Sequence, residues 1–335
     1  MKEWTSSISS LHAAMNVNSK RTLCAHLFFC LLLFCSCNPR SCSLEPRICY
    51  TPHPKYMDAL PSAFSPLNEE DLRQEWGKEL KIAQALAREG DLYRAITGFK
   101  RARILMPQDN KGRLLQADFC IFQAYWQGSR YCEAIEQFEN TPLCSVSSSF
   151  PSFREMLIML FDAYHRTNQL EKAHAVMLLM DKGDPESAFT LKLFSNLDQG
   201  NLNAALSYAY NTEEQEEIER FSQTYSLCAK SVRKAQTLNA ILPGAGYYYV
   251  GQKKSALTSF VINTVFTASA YYFFRDGNWG AGIIATSLEF GWYFGGINGA
   301  GLAAKEWNEN LYENLGQELM IRKKYFPVLM LETSF

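Results

Sequence analysis

Two long apolar stretches in the last third of the chain constrain its fold more than any other feature. Residues 255–274 contain no charged residue, and residues 279–304 contain one, Glu289. Twenty helical residues rise about 30 Å, which matches the hydrocarbon core of a bilayer. Only four polar residues separate the two stretches. The sequence therefore predicts a transmembrane hairpin of two helices over residues 254–305.

The second apolar stretch places small residues on one helical face. Gly291, Gly295 and Gly299 are spaced four apart, and this spacing lets two membrane helices touch backbone to backbone. The face is predicted to pair with the first stretch, and self-association with a second copy of the chain is the alternative. Glu289 could pair with Asn263. Neither stretch offers it a second acid or a base, so no proton or ion pathway is expected.

A segment with a proline and several glycines, residues 231–253, precedes the hairpin. Pro243 cannot continue a helix, and Gly244 and Gly246 permit backbone angles that other residues avoid. The segment is therefore predicted to break the backbone sharply at the face of the membrane.

This part of the chain resembles a known group of membrane proteins. Residues 231–305 are similar to an uncharacterised bacterial family in which a Pro-Gly-x-Gly-Gln turn, an aromatic residue and a glycine introduce two membrane spans. Tyr247 stands here where that family has glutamine. The resemblance implies placement in a membrane and no known activity.

The middle of the chain carries a pattern of small, aromatic and proline residues. Ala95, Phe99, Ala102 and Pro107 stand at spacings of four, three and five, which resembles the second helix of the tetratricopeptide repeat. Alanine lets two antiparallel helices approach closely, the aromatic ring fills the groove with the next pair, and proline ends the helix.

The pattern recurs twice further along the chain. Tyr125 precedes Ala134 by nine residues, and Phe138 follows four residues later. Tyr164 precedes Ala173 by the same nine residues. Ala and Phe at helical spacing are common in any core, but three copies in phase indicate a repeat.

The resemblance implies an all-α fold, in which a solenoid of helix-turn-helix repeats over residues 69–230 precedes the transmembrane hairpin. Such solenoids present a concave groove that binds extended or helical segments of partner proteins. Thr212, followed by five glutamates within seven residues, predicts a helix that closes the solenoid with a polar face. Residues 306–335 are predicted to form a tail.

The N-terminus has the pattern of an export signal. Two basic residues precede an apolar run, residues 23–34, that is too short to span a bilayer comfortably. The run ends in Phe-Cys-Ser-Cys, which resembles the cleavage box of a bacterial lipoprotein with phenylalanine where leucine is usual. The resemblance implies a signal peptide over residues 1–37 and acyl chains on Cys37. Six prolines in residues 38–68 predict a tether without regular structure.

Composition and motifs exclude several classes of protein. The chain has 33 basic and 34 acidic residues, so it lacks the basic surface of a nucleic-acid-binding protein. Six of its ten cysteines fall within residues 24–49 without the spacing of a zinc site. Its five histidines form no triad and no HExxH motif. We therefore expect no catalytic residues, no metal and no cofactor.

These features predict a protein-interaction scaffold anchored in the membrane of a bacterial envelope, with other proteins and membrane lipid as partners. The alternatives are a secreted effector that inserts its hairpin into a foreign membrane, and a subunit of an envelope transport or assembly complex. The export signal places the repeats in the periplasm. Basic residues that flank the hairpin, such as Lys253 and Lys305, favour the cytoplasm instead. We give the export signal more weight.

Cys37→Ser is predicted to abolish incorporation of radiolabelled palmitate and to leave an unprocessed precursor, because Cys37 is the acylation site that the resemblance implies. Labelling and electrophoretic mobility in producing cells measure both effects. Cys42→Ser is the matched control and should keep the label. Unchanged label and mobility in the Cys37→Ser variant would contradict the lipoprotein assignment.

Overall fold

Helices make up the regular structure of this protein. The computed structural model describes residues 44–52 and 55–335, and no β-strand occurs in these residues. The predicted all-α fold class is therefore confirmed for this part of the chain. The predicted signal peptide, residues 1–37, and its lipidation site Cys37 lie outside the described residues.

The described helices form two groups along the chain. The first group runs through the middle: α1 Lys55–Asp58, α2 Glu69–Arg73, α3 Glu75–Arg88, α4 Leu92–Leu105, α5 Lys111–Gln127, α6 Tyr131–Glu139, α7 Phe153–Arg166, α8 Leu170–Asp181, α9 Pro185–Asp198, α10 Leu202–Ala209 and α11 Gln215–Cys228. The second group follows it: α12 Val232–Ile241, α13 Ala245–Val250, α14 Lys253–Arg275 and α15 Trp279–Arg322. Short 3-10 turns occupy Pro142–Ser145 and Pro327–Met330.

Side-chain caps fix where several of these helices begin. In each case a short polar side chain accepts a hydrogen bond from the backbone N–H three residues later, which satisfies one of the free donors at a helix start. These caps are Asp91 at α4, Asn110 at α5, Asp184 at α9, Asn201 at α10 and Asn278 at α15. Gly90 has a left-handed backbone, φ +81°, and turns the chain between α3 and α4.

Consecutive helices pack side by side in pairs: α3 with α4, α5 with α6, α7 with α8 and α9 with α10. Small residues make this close approach feasible. Ala95 in α4, Ala134 in α6 and Ala173 in α8 are all buried. A Cβ atom added to Gly98 would lie 2.9 Å from Cβ of Ala83, so α3 and α4 are almost in backbone contact.

The residues predicted to be a tether are packed in their described part. Ile48 is buried, and Arg47 N donates to Glu313 Oε1 at 2.6 Å. The ring of Phe64 lies 5.5 Å from that of Phe119. The tether prediction is therefore wrong for this part. The prolines do limit helical structure to the single turn α1, but they do not prevent the apolar side chains between them from packing.

The last helix of the first group differs from the predicted polar cap. Thr212 does not cap it, because the Thr212 hydroxyl donates to the Ala209 carbonyl at 2.6 Å and α11 begins three residues later. Ile218 and Phe221 are buried on one face of α11, and that face packs on α15, where the ring of Tyr312 lies 5.1 Å from that of Phe221. This helix therefore joins the two groups of helices.

The longest helix continues well past the predicted membrane hairpin. α15 has 44 residues, a length of about 66 Å. Its second half buries Tyr312, Leu319 and Met320 on one face, and this helical apolar spacing with no proline explains why the helix does not stop at the predicted boundary. The prediction of a separate tail over residues 306–335 is wrong.

By length and composition, α14 is the one helix in the described part of the chain that is long and apolar enough to cross a membrane. It lies along the first half of α15. Apolar side chains on its outer side, among them Leu257, Val261 and Val265, are exposed.

The glycines that contact α14 are not the ones that the sequence predicted, Gly291 and Gly295. Gly282 lies against the ring of Phe274, and Gly296 faces the Ser259 hydroxyl. A Cβ atom on Gly291 or Gly295 would meet no atom within 4 Å. The predicted backbone contact of these two glycines with the first span does not occur within the described residues. Both line an open groove beside α14, and Gly296, one residue or about 100° after Gly295, makes the contact instead.

Ala134→Arg is predicted to destabilise the protein by about 3–5 kcal/mol, because a large unpaired charge would enter a fully buried helix contact. Glu136→Arg, at an exposed position of the same helix, is the control and should change stability by about 0.5 kcal/mol or less. Urea unfolding of the detergent-solubilised protein, followed by circular dichroism, measures both. Equal midpoints for the two variants would refute the close helix contact.

Candidate binding surface

The C-terminal segment, residues 325–335, lies across the helix pairs. It crosses the first helix of each pair in reverse order, α9, α7, α5 and α3, and we call the surface that these four helices offer to it the inner surface. One contact on each helix traces this path: Phe194 on Phe326, Arg154 on the Met330 carbonyl, Gln123 on Ser334 and Arg88 on the Phe335 carbonyl. The segment thus advances four residues from α9 to α7 and four from α7 to α5, and its last residue reaches α3.

Two phenylalanines anchor the ends of the C-terminal segment. Phe326 packs between Tyr50 and Phe194, with ring centroids 5.1 Å and 6.0 Å away. Phe335 stacks on Phe99, one of the predicted repeat residues, at 5.9 Å. Both anchors are almost completely buried. Burial of each ring stabilises the bound segment by about 2–3 kcal/mol.

An arginine positioned by two neighbours binds the middle of the segment. Arg154 Nε donates to Asp184 Oδ2 at 2.8 Å, and Nη2 donates to the Ser187 hydroxyl at 2.9 Å. These contacts leave Nη1 to donate to the Met330 carbonyl at 2.9 Å. Because the guanidinium is held before it meets the segment, little side-chain entropy is lost in that bond.

The entry of the C-terminal segment is fixed by polar contacts at the end of α15. The Tyr325 hydroxyl donates to Glu214 Oε2 at 2.5 Å, and Lys323 pairs with the same carboxylate at 3.0 Å. Burial, together with the Glu214 carboxylate, raises the pKa of Tyr325. The phenol therefore stays neutral and remains a donor.

The N-terminal residues cover the other side of the C-terminal segment. Ser334 N donates to the Pro61 carbonyl at 2.9 Å, and the Tyr56 hydroxyl donates to the Leu329 carbonyl at 3.3 Å. A parallel bridge joins Ser62 and Ser334. The segment is therefore enclosed between the inner surface and residues 56–64.

The predicted repeat residues lie within the helix pairs, and Phe99 on α4 also contacts the C-terminal segment through Phe335. Ala102 is buried in α4, Pro107 follows the end of that helix, and the ring of Phe138 lies 6.2 Å from that of Phe122.

Two predicted tyrosines play the same part in successive pairs. The Tyr125 hydroxyl accepts from Lys100 Nζ at 2.8 Å, and the Tyr164 hydroxyl donates to Glu139 Oε1 at 2.9 Å. Each partner stands 25 residues before its tyrosine, on the second helix of the preceding pair. Burial and the Glu139 carboxylate raise the pKa of Tyr164. These bonds link neighbouring pairs in a repeating manner.

A cavity of about 310 Å³ lies beside the C-terminal segment. A buried carboxylate at its wall, Asp162, accepts from Trp126 Nε1 at 2.9 Å and from Arg166 Nε at 3.2 Å. Burial raises the pKa of the Asp162 carboxyl. The bond from Trp126 ties α5 to α7, and the bond from Arg166 lies within α7, so Asp162 acts in packing. No group of three or more His, Cys, Asp or Glu side chains in residues 44–52 and 55–335 is placed to hold a metal ion.

The predicted backbone break at Pro243 is present and is stabilised by a residue that the sequence analysis missed. Gly244 has a left-handed backbone, φ +92°, and its N–H donates to Asn239 Oδ1 at 2.8 Å. Gly246 packs against Ala235 and Ala300 with no room for a side chain. Asn239 stands four residues before the proline, and an asparagine so close to a proline-glycine turn was the signal for its role.

The expected pairing of Glu289 with Asn263 does not appear among the hydrogen bonds of the described residues. Asn263 Nδ2 donates to the Ser259 carbonyl of its own helix at 2.6 Å. Asn263 Oδ1 and Glu289 Oε2 are buried and have no hydrogen-bond partner within the described chain. Gly299 contacts Tyr247 of α13 instead of the first apolar helix.

Comparison with protein families, curated proteins and solved structures found no match for this chain.

Phe326→Ala is predicted to destabilise the protein by about 3–5 kcal/mol, because a buried ring between two aromatic partners would be lost. Tyr93→Ala, at a side chain that is 79% exposed, is the matched aromatic control and should cost about 0.5 kcal/mol or less. Urea unfolding of the solubilised protein compares them. A Phe326→Ala variant as stable as wild type would show that the C-terminal segment is not packed on the inner surface.

Proposed function

We propose that this chain is a membrane-anchored interaction scaffold whose helix pairs form a tetratricopeptide-like solenoid. The observation that carries the proposal is the C-terminal segment itself, which lies along four helix pairs as a single 3-10 turn followed by non-helical residues. A surface that holds eleven residues of its own chain, through carbonyl contacts and two phenylalanine anchors, has the chemistry to hold an extended segment of another protein.

The repeating contacts support the solenoid. The equivalent tyrosines Tyr125 and Tyr164 bridge successive pairs at the same interval of 25 residues, and the signature alanines are buried at equivalent positions. A partner segment would have to take the place of the C-terminal segment, so we infer that partners compete with it.

The anchor of the scaffold is a two-span hairpin of α14 and the first part of α15. α14 has the length and composition of a span, and the adjoining part of α15 exposes Ile284, Leu288 and Trp292. These uncovered apolar side chains continue the exposed apolar side of α14. A lipid bilayer would remove this apolar surface from water without burying unpaired polar groups.

A contact at the end of the second span supports placing the repeats and Cys37 on the same side of the membrane. Lys305 Nζ pairs with Glu45 Oε1 at 3.4 Å, so the chain enters the described fold beside the point where the apolar stretch ends. Glu45 is eight positions after Cys37, and an extended chain of that length reaches about 27 Å. A lipid on Cys37 can therefore enter the same face of the bilayer. We propose that this face and the repeats are periplasmic.

An assembly subunit of the bacterial envelope is the second candidate function. Gly291 and Gly295 present a small-residue face that no part of the described chain covers. A helix of a second copy, or of another membrane protein, could approach closely there.

A peptide-competition experiment tests the scaffold function. Full-length protein is purified from membranes with its bound partners, and a synthetic peptide of residues 325–335 is added. The peptide should release the partners because it occupies the inner surface. A matched peptide with Phe326→Ala and Phe335→Ala has lost both anchors and should release at least tenfold less. Equal release by both peptides, or release by neither, would contradict binding of partners at the inner surface.

A further inference from the structure

Residues 232–250 form a second, shorter hairpin beside the two apolar helices, which we call the Pro-Gly hairpin. It consists of α12, the turn at Pro243 and Gly244, and α13. The long helix α15 is its main packing partner. Its small residues Ala235 and Gly246 meet Ala300 and neighbouring alanines of α15 in a separate small core.

Successive contacts show that α12 descends along α15 towards the middle of the apolar stretch. Asn308 holds both the N–H and the carbonyl of Lys230, at 2.6 Å and 2.9 Å. Further along, Gly301 lies against Gln236, and the Tyr293 hydroxyl donates to the Ala240 carbonyl at 2.6 Å. The contacted residue of α15 falls from 308 to 293 as the chain advances from 230 to 240.

These contacts give the depth of the turn. Lys305 ends the apolar stretch of α15, and Tyr293 lies twelve residues before it, about 18 Å along the helix. A hydrocarbon core is about 30 Å thick. If α14 and α15 span the bilayer as proposed above, Ala240 and the turn that follows it lie within the leaflet that α14 enters. The turn lies in the outer part of that leaflet, because Gly244 packs against Ala256, two residues after Lys254 at the start of α14.

The composition of the Pro-Gly hairpin suits this depth. No charged residue occurs in residues 235–252. At the tip, Ile241 is 77% exposed, and Leu242 and Tyr248 are also exposed. Leu242 and Tyr248 border a groove that continues onto Phe260 of α14. The exposed apolar tip is therefore continuous with the apolar side of the spanning helices.

The backbone of the turn is prepared for an environment without water. Pro243 has no N–H to satisfy, and Gly244 N donates to the buried side chain of Asn239 at 2.8 Å. Leu242 N donates to the Leu238 carbonyl at 3.0 Å, and Ala245 N donates to the Leu242 carbonyl at 2.9 Å. Irregular backbone survives at membrane depth where its donors are satisfied in this way.

The open end of the Pro-Gly hairpin carries the groups that favour a lipid headgroup region. Lys230 Nζ lies 5.2 Å from the ring centre of Tyr249 and 5.7 Å from that of Trp307. Lys234 Nζ lies 5.0 Å from the same tyrosine ring. Cations and amphipathic aromatic residues concentrate at the boundary between lipid and water. The polar end and the apolar tip are thus separated along the membrane normal.

We propose that the Pro-Gly hairpin is a re-entrant element that inserts into one leaflet of the membrane, with its tip among the lipid acyl chains. The proposal rests on the spanning hairpin of the proposed function. It adds insertion of the tip to the expectation that Pro243 and its glycines break the backbone at the membrane face.

Site-specific photo-crosslinking tests this insertion. Benzoylphenylalanine replaces Ile241 at the tip, Ile284 on the exposed side of α15, or Tyr93 on α4, in full-length protein in vesicles of phosphatidylethanolamine and phosphatidylglycerol. After irradiation, mass spectrometry locates the adducts. We expect acyl-chain adducts from positions 241 and 284, and at least tenfold less lipid adduct from position 93, which lies in the repeats and has a similarly exposed side chain.

Results at positions 241, 284 and 93 distinguish a failure of the proposed insertion of the Pro-Gly hairpin from a failure of the proposed spanning hairpin. Acyl-chain adducts at 284 together with headgroup adducts, or no adduct, at 241 would overturn insertion and leave the anchor intact. Adducts between position 241 and a second copy of the chain would also overturn it, because the tip would then be a protein contact. No lipid adduct at 284 would overturn the spanning hairpin and the insertion together.

Discussion

The helix pairs of this protein depend on the cover that the inner surface receives from distant parts of the chain. Each pair buries its own small-residue seam, but the first helices also present side chains such as Phe194 and Gln123 towards the inside. The C-terminal segment packs aromatic rings against the apolar side chains of the inner surface. Its hydroxyl and carbonyl oxygens accept hydrogen bonds from the polar side chains of that surface. A short segment made of ordinary residues can do this because Arg154 on α7 is already held in place by Asp184 and Ser187 at the start of α9.

Part of this arrangement was predictable from local sequence. The alanine and aromatic spacings indicated helix pairs, since the contacts within a pair join residues close in the chain. The cover of the inner surface was not predictable in this way, because Phe99 and Phe335 are more than two hundred residues apart. A partial signal existed: residues 325–331 read Tyr-Phe-Pro-Val-Leu-Met-Leu, and so apolar a run is rarely left in water.

Other differences arise from small shifts in register. Four-residue spacing correctly marked a small-residue face on the second apolar helix, but the contact with α14 falls one residue further round, at Gly296. The spacing of residues along the sequence predicts which of them share a helix face. It does not predict which face contacts a neighbouring helix. Thr212 likewise has the composition of a cap, yet its hydroxyl is taken by the Ala209 carbonyl before the helix starts. The fold class depends on many residues, so a shift of one residue does not change it. A contact site depends on a few residues, so the same shift moves the site.

The order of synthesis gives the C-terminal segment a further consequence. The helix pairs are translated first, then the two apolar stretches, and only afterwards residues 325–335. During that interval the inner surface has nothing from its own chain to cover it, and contacts of such long sequence separation form slowly. The helix pairs can therefore be covered only after both apolar stretches have been made, and until then their exposed apolar surface is one that a chaperone would recognise.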